Sequence, residues 1–187
     1  RNGVSNNVNY NITIGRNSVD QINFPRQGSN FLLTLKLSPP YSMFDDIDDY
    51  TSLTDQEKYK WVEYYKWKFK ATWFSPFTEK LILATKTEFG FLGAYNQELG
   101  ISPFERFYVG GDGLSGMGYM NDGRELVALR GYANNSLSPQ TGATIYNKYT
   151  AEIRYALSLN PTSTMYALAF LEAGNAWEEF DNFNPFG

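Results

Sequence analysis

Residues 65–73 read Tyr-Lys-Trp-Lys-Phe-Lys-Ala-Thr-Trp, and that order leaves few folds open. Successive side chains of an extended chain point to opposite faces. Tyr65, Trp67, Phe69, Ala71 and Trp73 therefore share one face, and Lys66, Lys68, Lys70 and Thr72 share the other. A helix would scatter both sets around its circumference. The stretch is a strand, covering about 59–74, with one apolar face and one cationic face.

Five further segments repeat this two-sided pattern. In 7–16, Val8, Tyr10, Ile12 and Ile14 oppose Asn7, Asn9, Asn11 and Thr13. About 30–37, Phe31, Leu33, Leu35 and Leu37 oppose Thr34 and Lys36. About 79–92, Leu81, Leu83, Thr85, Thr87, Phe89 and Phe91 oppose Ile82, Ala84, Lys86, Glu88 and Gly90. Tyr149, Ala151, Ile153, Tyr155 and Leu157 oppose Glu152 and Arg154 over 147–158. The last strand, 164–175, sets Met165, Ala167, Ala169, Leu171 and Ala173 against Tyr166, Leu168, Phe170 and Glu172. The chain is all-β. Shorter connections follow the first, third and fifth strands, and long ones follow the second, fourth and sixth. That alternation is the pattern of an antiparallel transmembrane β-barrel of the outer membrane, with lipid against the apolar faces, a wet lumen inside and the long loops extracellular. Trp73, near a strand end, fits an interfacial girdle.

Composition narrows the chemistry. No run approaches the roughly 18 apolar residues of a membrane-spanning helix, and mean hydropathy is -0.43 although 17% of residues are aromatic. Without cysteine or histidine, the chain cannot build a disulfide scaffold, a thiol nucleophile or a Ser-His-Asp site. A net charge of -4 argues against a nucleic-acid surface. Asp45, Asp46, Asp48, Asp49, Asp55 and Glu57 crowd the segment 41–58. They lack the ordered spacing and turn glycine of an EF-hand, so they read as a solvated acidic loop, and no metal is expected. Both ends, Arg1 and Asn184-Pro185-Phe186-Gly187, read as cut from a larger protein. No residue reads as catalytic.

Pairing the last two strands about a centre near residue 162 sets Glu152 opposite Glu172. Facing carboxylates repel, so a cation is expected between them. Arg130 is a candidate, with a planar guanidinium suited to two-pronged carboxylate binding and Gly131 beside it for a tight turn. Arg154, on the strand and face of Glu152, competes for that role. Arg130 closes a long Gly-rich loop, about 93–146, that opens as Pro-Phe-Glu-Arg-Phe-Tyr-Val-Gly-Gly over residues 103–111. Glu105 and Arg106 admit a plain reading as an exposed ion pair at a strand end, with Gly110 and Gly111 as a turn.

Phe104, Glu105, Arg106, Phe107, Gly110 and Gly111, followed downstream by Arg130, Gly131 and Tyr132, resemble the sixth extracellular loop of BamA-type outer-membrane assembly proteins, the barrels that follow periplasmic POTRA repeats. The family usually has Phe at the position of Tyr132 and Val at that of Leu129. Its loop folds back into the barrel, and its arginine contacts acidic residues on the next two strands, matched here by Glu152 and Glu172. The resemblance also implies that the segment 104–111 packs against the returning loop. By it, the six strands correspond to strands eight to thirteen of a barrel of about sixteen, the POTRA repeats and terminal strands lying outside residues 1–187. The aromatic-rich, acidic-loop style resembles members from the Bacteroidetes.

What the resemblance implies is an outer-membrane insertase that folds client barrels into the bilayer without ATP, metal or cofactor. Its partners would be unfolded barrel clients, accessory outer-membrane lipoproteins and periplasmic chaperones. Two other classes compete with it: a related barrel serving as a secretion pore or as the anchor of a fused lipase-like domain, and a soluble carbohydrate-binding β-sandwich.

Overall fold

The computed structural model describes residues 5–45, 47, 49–113, 124–160 and 162–184. Asp46 and Asp48 of the acidic segment, the centre of the Gly-rich span, Pro161 of the expected last turn, and Pro185-Phe186-Gly187 lie outside the described residues. Six strands, β1 (Tyr10–Asn17), β2 (Gly28–Leu37), β3 (Tyr65–Pro76), β4 (Leu81–Gly93), β7 (Ile145–Asn160) and β8 (Ser163–Trp177), form one sheet in the order β1-β2-β3-β4-β7-β8. Every neighbouring pair in it is antiparallel. Two short strands inside the long loop, β5 (Phe107–Val109) and β6 (Glu125–Val127), pair with each other in parallel.

Register sorts the side chains as the alternation predicts. Trp67 lies between Leu35 and Phe91 on the outer face, and Phe69 between Leu33 and Phe89. Trp67 and Trp73 stand six residues apart on one strand and on the same outer face, roughly 20 Å apart along it at the strand rise. Ile12 is 52% exposed and Leu171 78%. Among the described residues no second sheet covers this apolar face. The inner face is a lattice of ion pairs: Lys70 with Glu88 at 2.9 Å, Lys86 with Glu152 at 2.5 Å, and Arg154 with Glu152 at 2.6 Å.

At the short-turn end, the β1–β2 connection folds across the inner face. Phe24 is buried there with Ile82, Ala156 and Phe74, and its ring meets Tyr166 of β8 at 5.2 Å. Asp20 holds the turn by accepting from the backbone amides of Arg26 (2.8 Å) and Gln27 (3.3 Å). At the other end a core of Val62, Tyr64, Leu92, Phe107, Val109, Val127, Leu129, Ala143 and Tyr146 joins the wall to the loop. The main apolar core is thus between loop and lumen wall.

Several strand ends depart from the sequence reading by one to three residues, the first strand beginning at Tyr10 rather than 7 and the fifth at Ile145 rather than 147. Two regions differ by more than fraying. The third strand begins at Tyr65 rather than 59: Asp55–Lys58 forms a single helical turn (α1), and in the stretch between them Trp61 makes only an isolated bridge with Asn6. Thr54 and Glu57 cap it reciprocally, with the Thr54 hydroxyl donating to Glu57 at 2.7 Å and the Thr54 amide at 3.0 Å. Finally, a bulge between Ala156 and Ser158 leaves Leu157 without an opposite number and shifts the β7–β8 register by one residue.

Candidate functional site

That bulge, together with a turn centred between Asn160 and Ser163 instead of on residue 162, corrects the expected carboxylate pair. Glu172 pairs with Thr150 and Glu152 with Phe170, so both acids stay on the inner face but stand diagonally instead of opposite. Each has its own cations. Glu152 is held by Lys86 and by both Nε (3.0 Å) and an NH2 nitrogen (2.6 Å) of Arg154. Glu172 is held from the loop: Arg130 donates from Nε (3.2 Å), from a terminal nitrogen (2.7 Å) and from its backbone amide (3.0 Å). Lys148 adds a contact to Glu172 at 3.3 Å while donating to the Ala128 carbonyl at 2.7 Å. The guanidinium also lies 3.5 Å above the Phe170 ring, a cation–π contact. Arg130 therefore engages one carboxylate, not two. Hydrogen bonding to Glu172 raises its already high pKa, so the clasp does not open by arginine deprotonation.

The local backbone follows the sequence closely. Gly131 takes φ +93, the left-handed conformation that lets the chain turn immediately after the clasp. Tyr132 beside it is exposed. Upstream, the loop-base residues separate into two roles. Glu105 and Arg106 are not paired with each other: Glu105 turns to the wall, where its carboxylate meets Lys36 at 2.7 Å and Lys66 at 3.4 Å. Arg106 turns away and ties the loop's roots together, donating to the carbonyls of Ser102, Ile101 and Gly142 and to Glu178. Phe107 fills the core against Tyr146, ring centroids 4.7 Å apart, over Gly90, where any side chain would strike both rings. Phe104 packs at the rim of that core. Gly110 and Gly111 meet the returning segment: the Gly110 amide donates to Val127 and the Gly111 carbonyl accepts from Leu129, both at 3.0 Å.

Sequence reasoning missed Glu125. From β6 it reaches Lys66 at 2.6 Å and Lys68 at 3.0 Å. The available signal was the unmatched charge: Lys66 and Lys68 line one inner face with no acid assigned to them. In the acidic segment, Asp49 is engaged with Thr51 and Glu57 with Thr54, and no cluster of three or more metal-binding side chains occurs among the described residues.

Burial pushes the Glu105 and Glu125 carboxyls up, but Lys36 and Lys66 around Glu105, and Lys66 and Lys68 around Glu125, more than offset it and hold both below the ordinary 4.5. A depressed carboxyl contributes stability that is complete above its unfolded pKa and is lost as pH falls through its folded one. Loop docking should therefore be flat from about pH 5.5 to 8.5, since no histidine titrates in this chain, and should weaken only below 4.5. Amide exchange of β5 and β6 in the complete protein against pH checks this; a transition near neutrality would contradict it.

The fold and this site define a class: the wall of a transmembrane β-barrel with a long loop latched to its inner face. The chain belongs to the Omp85 superfamily, whose domain model matches residues 1–186. It is part of an outer-membrane β-barrel. A similar solved structure is BamA from Haemophilus ducreyi lacking POTRA domains 1-3, with TM-score 0.60 and 17% sequence identity over 90% of this chain. The chain spans 30% of the length of that structure. No curated protein matches it in sequence.

Proposed function

We propose that the complete protein is an outer-membrane insertase, folding and inserting β-barrel proteins. The observation that carries the reading is the seated loop. Two limbs of the loop, paired as β5 and β6, lie against the inner wall and are clasped by Arg130 on Glu172. A loop packed into the lumen obstructs a conduit for a partner protein, whereas a machine that works at its own barrel wall can use one as an internal brace. On this reading the long loops face outward, and POTRA repeats precede the barrel. Unfolded barrel clients arrive with periplasmic chaperones, accessory lipoproteins assist, and the surrounding bilayer is the acceptor. No catalytic residue, metal or cofactor takes part.

Reconstitution tests it. The complete protein in liposomes should raise the folded fraction of a urea-unfolded barrel client, read by its heat-modifiable gel mobility, well above empty liposomes. If the proteoliposomes conduct ions or export a soluble partner yet leave client folding at the empty-liposome rate, the pore reading replaces this one.

A further inference from the structure

We propose that Lys66 is the positioning residue that fixes both limbs of the loop to the barrel wall, independently of the Arg130 clasp. Its side chain is 1% exposed, against 47% for Arg130. From β3 its ammonium reaches the Glu105 carbonyl at 2.7 Å, the Glu105 carboxylate at 3.4 Å and the Glu125 carboxylate at 2.6 Å. The Phe107 ring lies 4.4 Å away on a further side. One buried cation thus answers a carboxylate on each limb of the loop, and its removal leaves each with a single lysine, Lys36 for Glu105 and Lys68 for Glu125. An ammonium this deeply buried is itself held only by these partners.

The two carboxylates belong to opposite limbs. Glu105 precedes β5 on the outgoing limb, and Glu125 opens β6 on the returning one. The limbs are joined by parallel pairing of Phe107 with Glu125, Tyr108 with Leu126 and Val109 with Val127. A single point of attachment therefore holds a small two-stranded unit, not one strand. Lys36 at 2.7 Å and Asn7 at 3.2 Å bind the Glu105 carboxylate from β2 and from the segment before β1, and Lys68 binds Glu125. Lys66 is the member common to both.

Backbone strain marks the same place. Glu105 has φ +65, one of two positive-φ residues other than glycine among the described residues. A left-handed glutamate persists only where its surroundings over-determine it. Here that conformation presents both its carbonyl and its carboxylate to Lys66. The loop is thus fixed at two stations: a buried one at its roots, centred on Lys66, and a half-exposed one at Arg130.

Segment-resolved hydrogen–deuterium exchange on the complete protein in lipid nanodiscs tests this without reference to insertase activity. Lys66→Met, which keeps length and removes charge, should speed exchange of residues 107–111 and 125–129 by about tenfold or more, with β3 and β4 unchanged. Arg130→Ala should speed exchange at 129–136 and leave β5 and β6 protected. The Glu105→Gln/Glu125→Gln pair alters only the loop and should reproduce the Lys66→Met pattern, which keeps the test decisive if Lys66→Met fails to assemble. Lys66→Arg, keeping the charge, should restore most of the protection. The proposal is overturned if β5 and β6 stay protected in the double glutamine variant, or if Arg130→Ala alone releases both limbs.

Discussion

On the insertase reading proposed above, Arg130→Glu is expected to cost the complete protein most of its barrel-assembly activity while leaving the barrel itself folded. Glu172 is 3% exposed and takes three donors from Arg130, two from the guanidinium and one from the backbone. Breaking a buried pair costs about 3–5 kcal/mol. Arg130 is half exposed, so water recovers part of that, and roughly 2–3 kcal/mol remains, about a thirty- to 150-fold loss of the clasped state. A glutamate there also faces Glu172 with like charge. The swap Arg130→Glu with Glu172→Arg should restore part of the activity. The combination with Glu152→Arg should not, because position 152 is already flanked by Lys86 and Arg154, and a third cation there repels both. Growth of cells depleted of the wild-type protein, with folded outer-membrane proteins measured by heat-modifiability, reads both results. Wild-type behaviour of Arg130→Glu would sink the clasp.

Much of this wall is legible in the sequence because a strand's period of two needs only neighbouring residues. All six strands and both their faces follow from alternation, and the register keeps Lys66, Lys68 and Lys70 inward as their spacing requires. Harder to read is whatever depends on a partner far along the chain. The bulge at Leu157 carries no glycine or proline to announce it; its one-residue shift, added to a turn centred between Asn160 and Ser163 instead of on residue 162, moves Glu172 from Glu152 to Thr150. Lys66 can be placed on the lumen face by counting. That its partners are Glu105 and Glu125 is set by how a loop of no regular period lays its two limbs, and no local pattern encodes that. The helical turn at Asp55–Lys58 is different: Thr54 and Glu57 spell its capping box, and the acidic crowding around them hid it.

Gly110→Ala should release the loop far more than Gly131→Ala, although both glycines lie in the left-handed region and both replacements add one methyl group. At Gly131 (φ +93) a Cβ would meet nothing within 4 Å, so alanine there costs only its own conformational strain, about 1–2 kcal/mol. Gly110 (φ +123) has a second problem, because its Cβ would lie 2.5 Å from the Ala133 carbonyl oxygen and 3.1 Å from the Ser136 amide nitrogen. These are backbone atoms of the returning limb, and they cannot rotate away as the tip of a side chain can. Relief requires that limb to lift, which pulls on the bond from the Gly110 amide to Val127 and on the pairing of Gly111 with Leu129. Those contacts carry the loop from β5 and β6 to the clasp, so the strain reaches Arg130 within the same segment. Limited proteolysis of the complete protein in membranes measures the difference. Cleavage within 107–137 should be at least about tenfold faster for Gly110→Ala than for Gly131→Ala, with Gly100→Ala, which also meets open space at φ +74, as a second control. Equal cleavage of all three variants would mean that the close approach at Gly110 does not hold the loop.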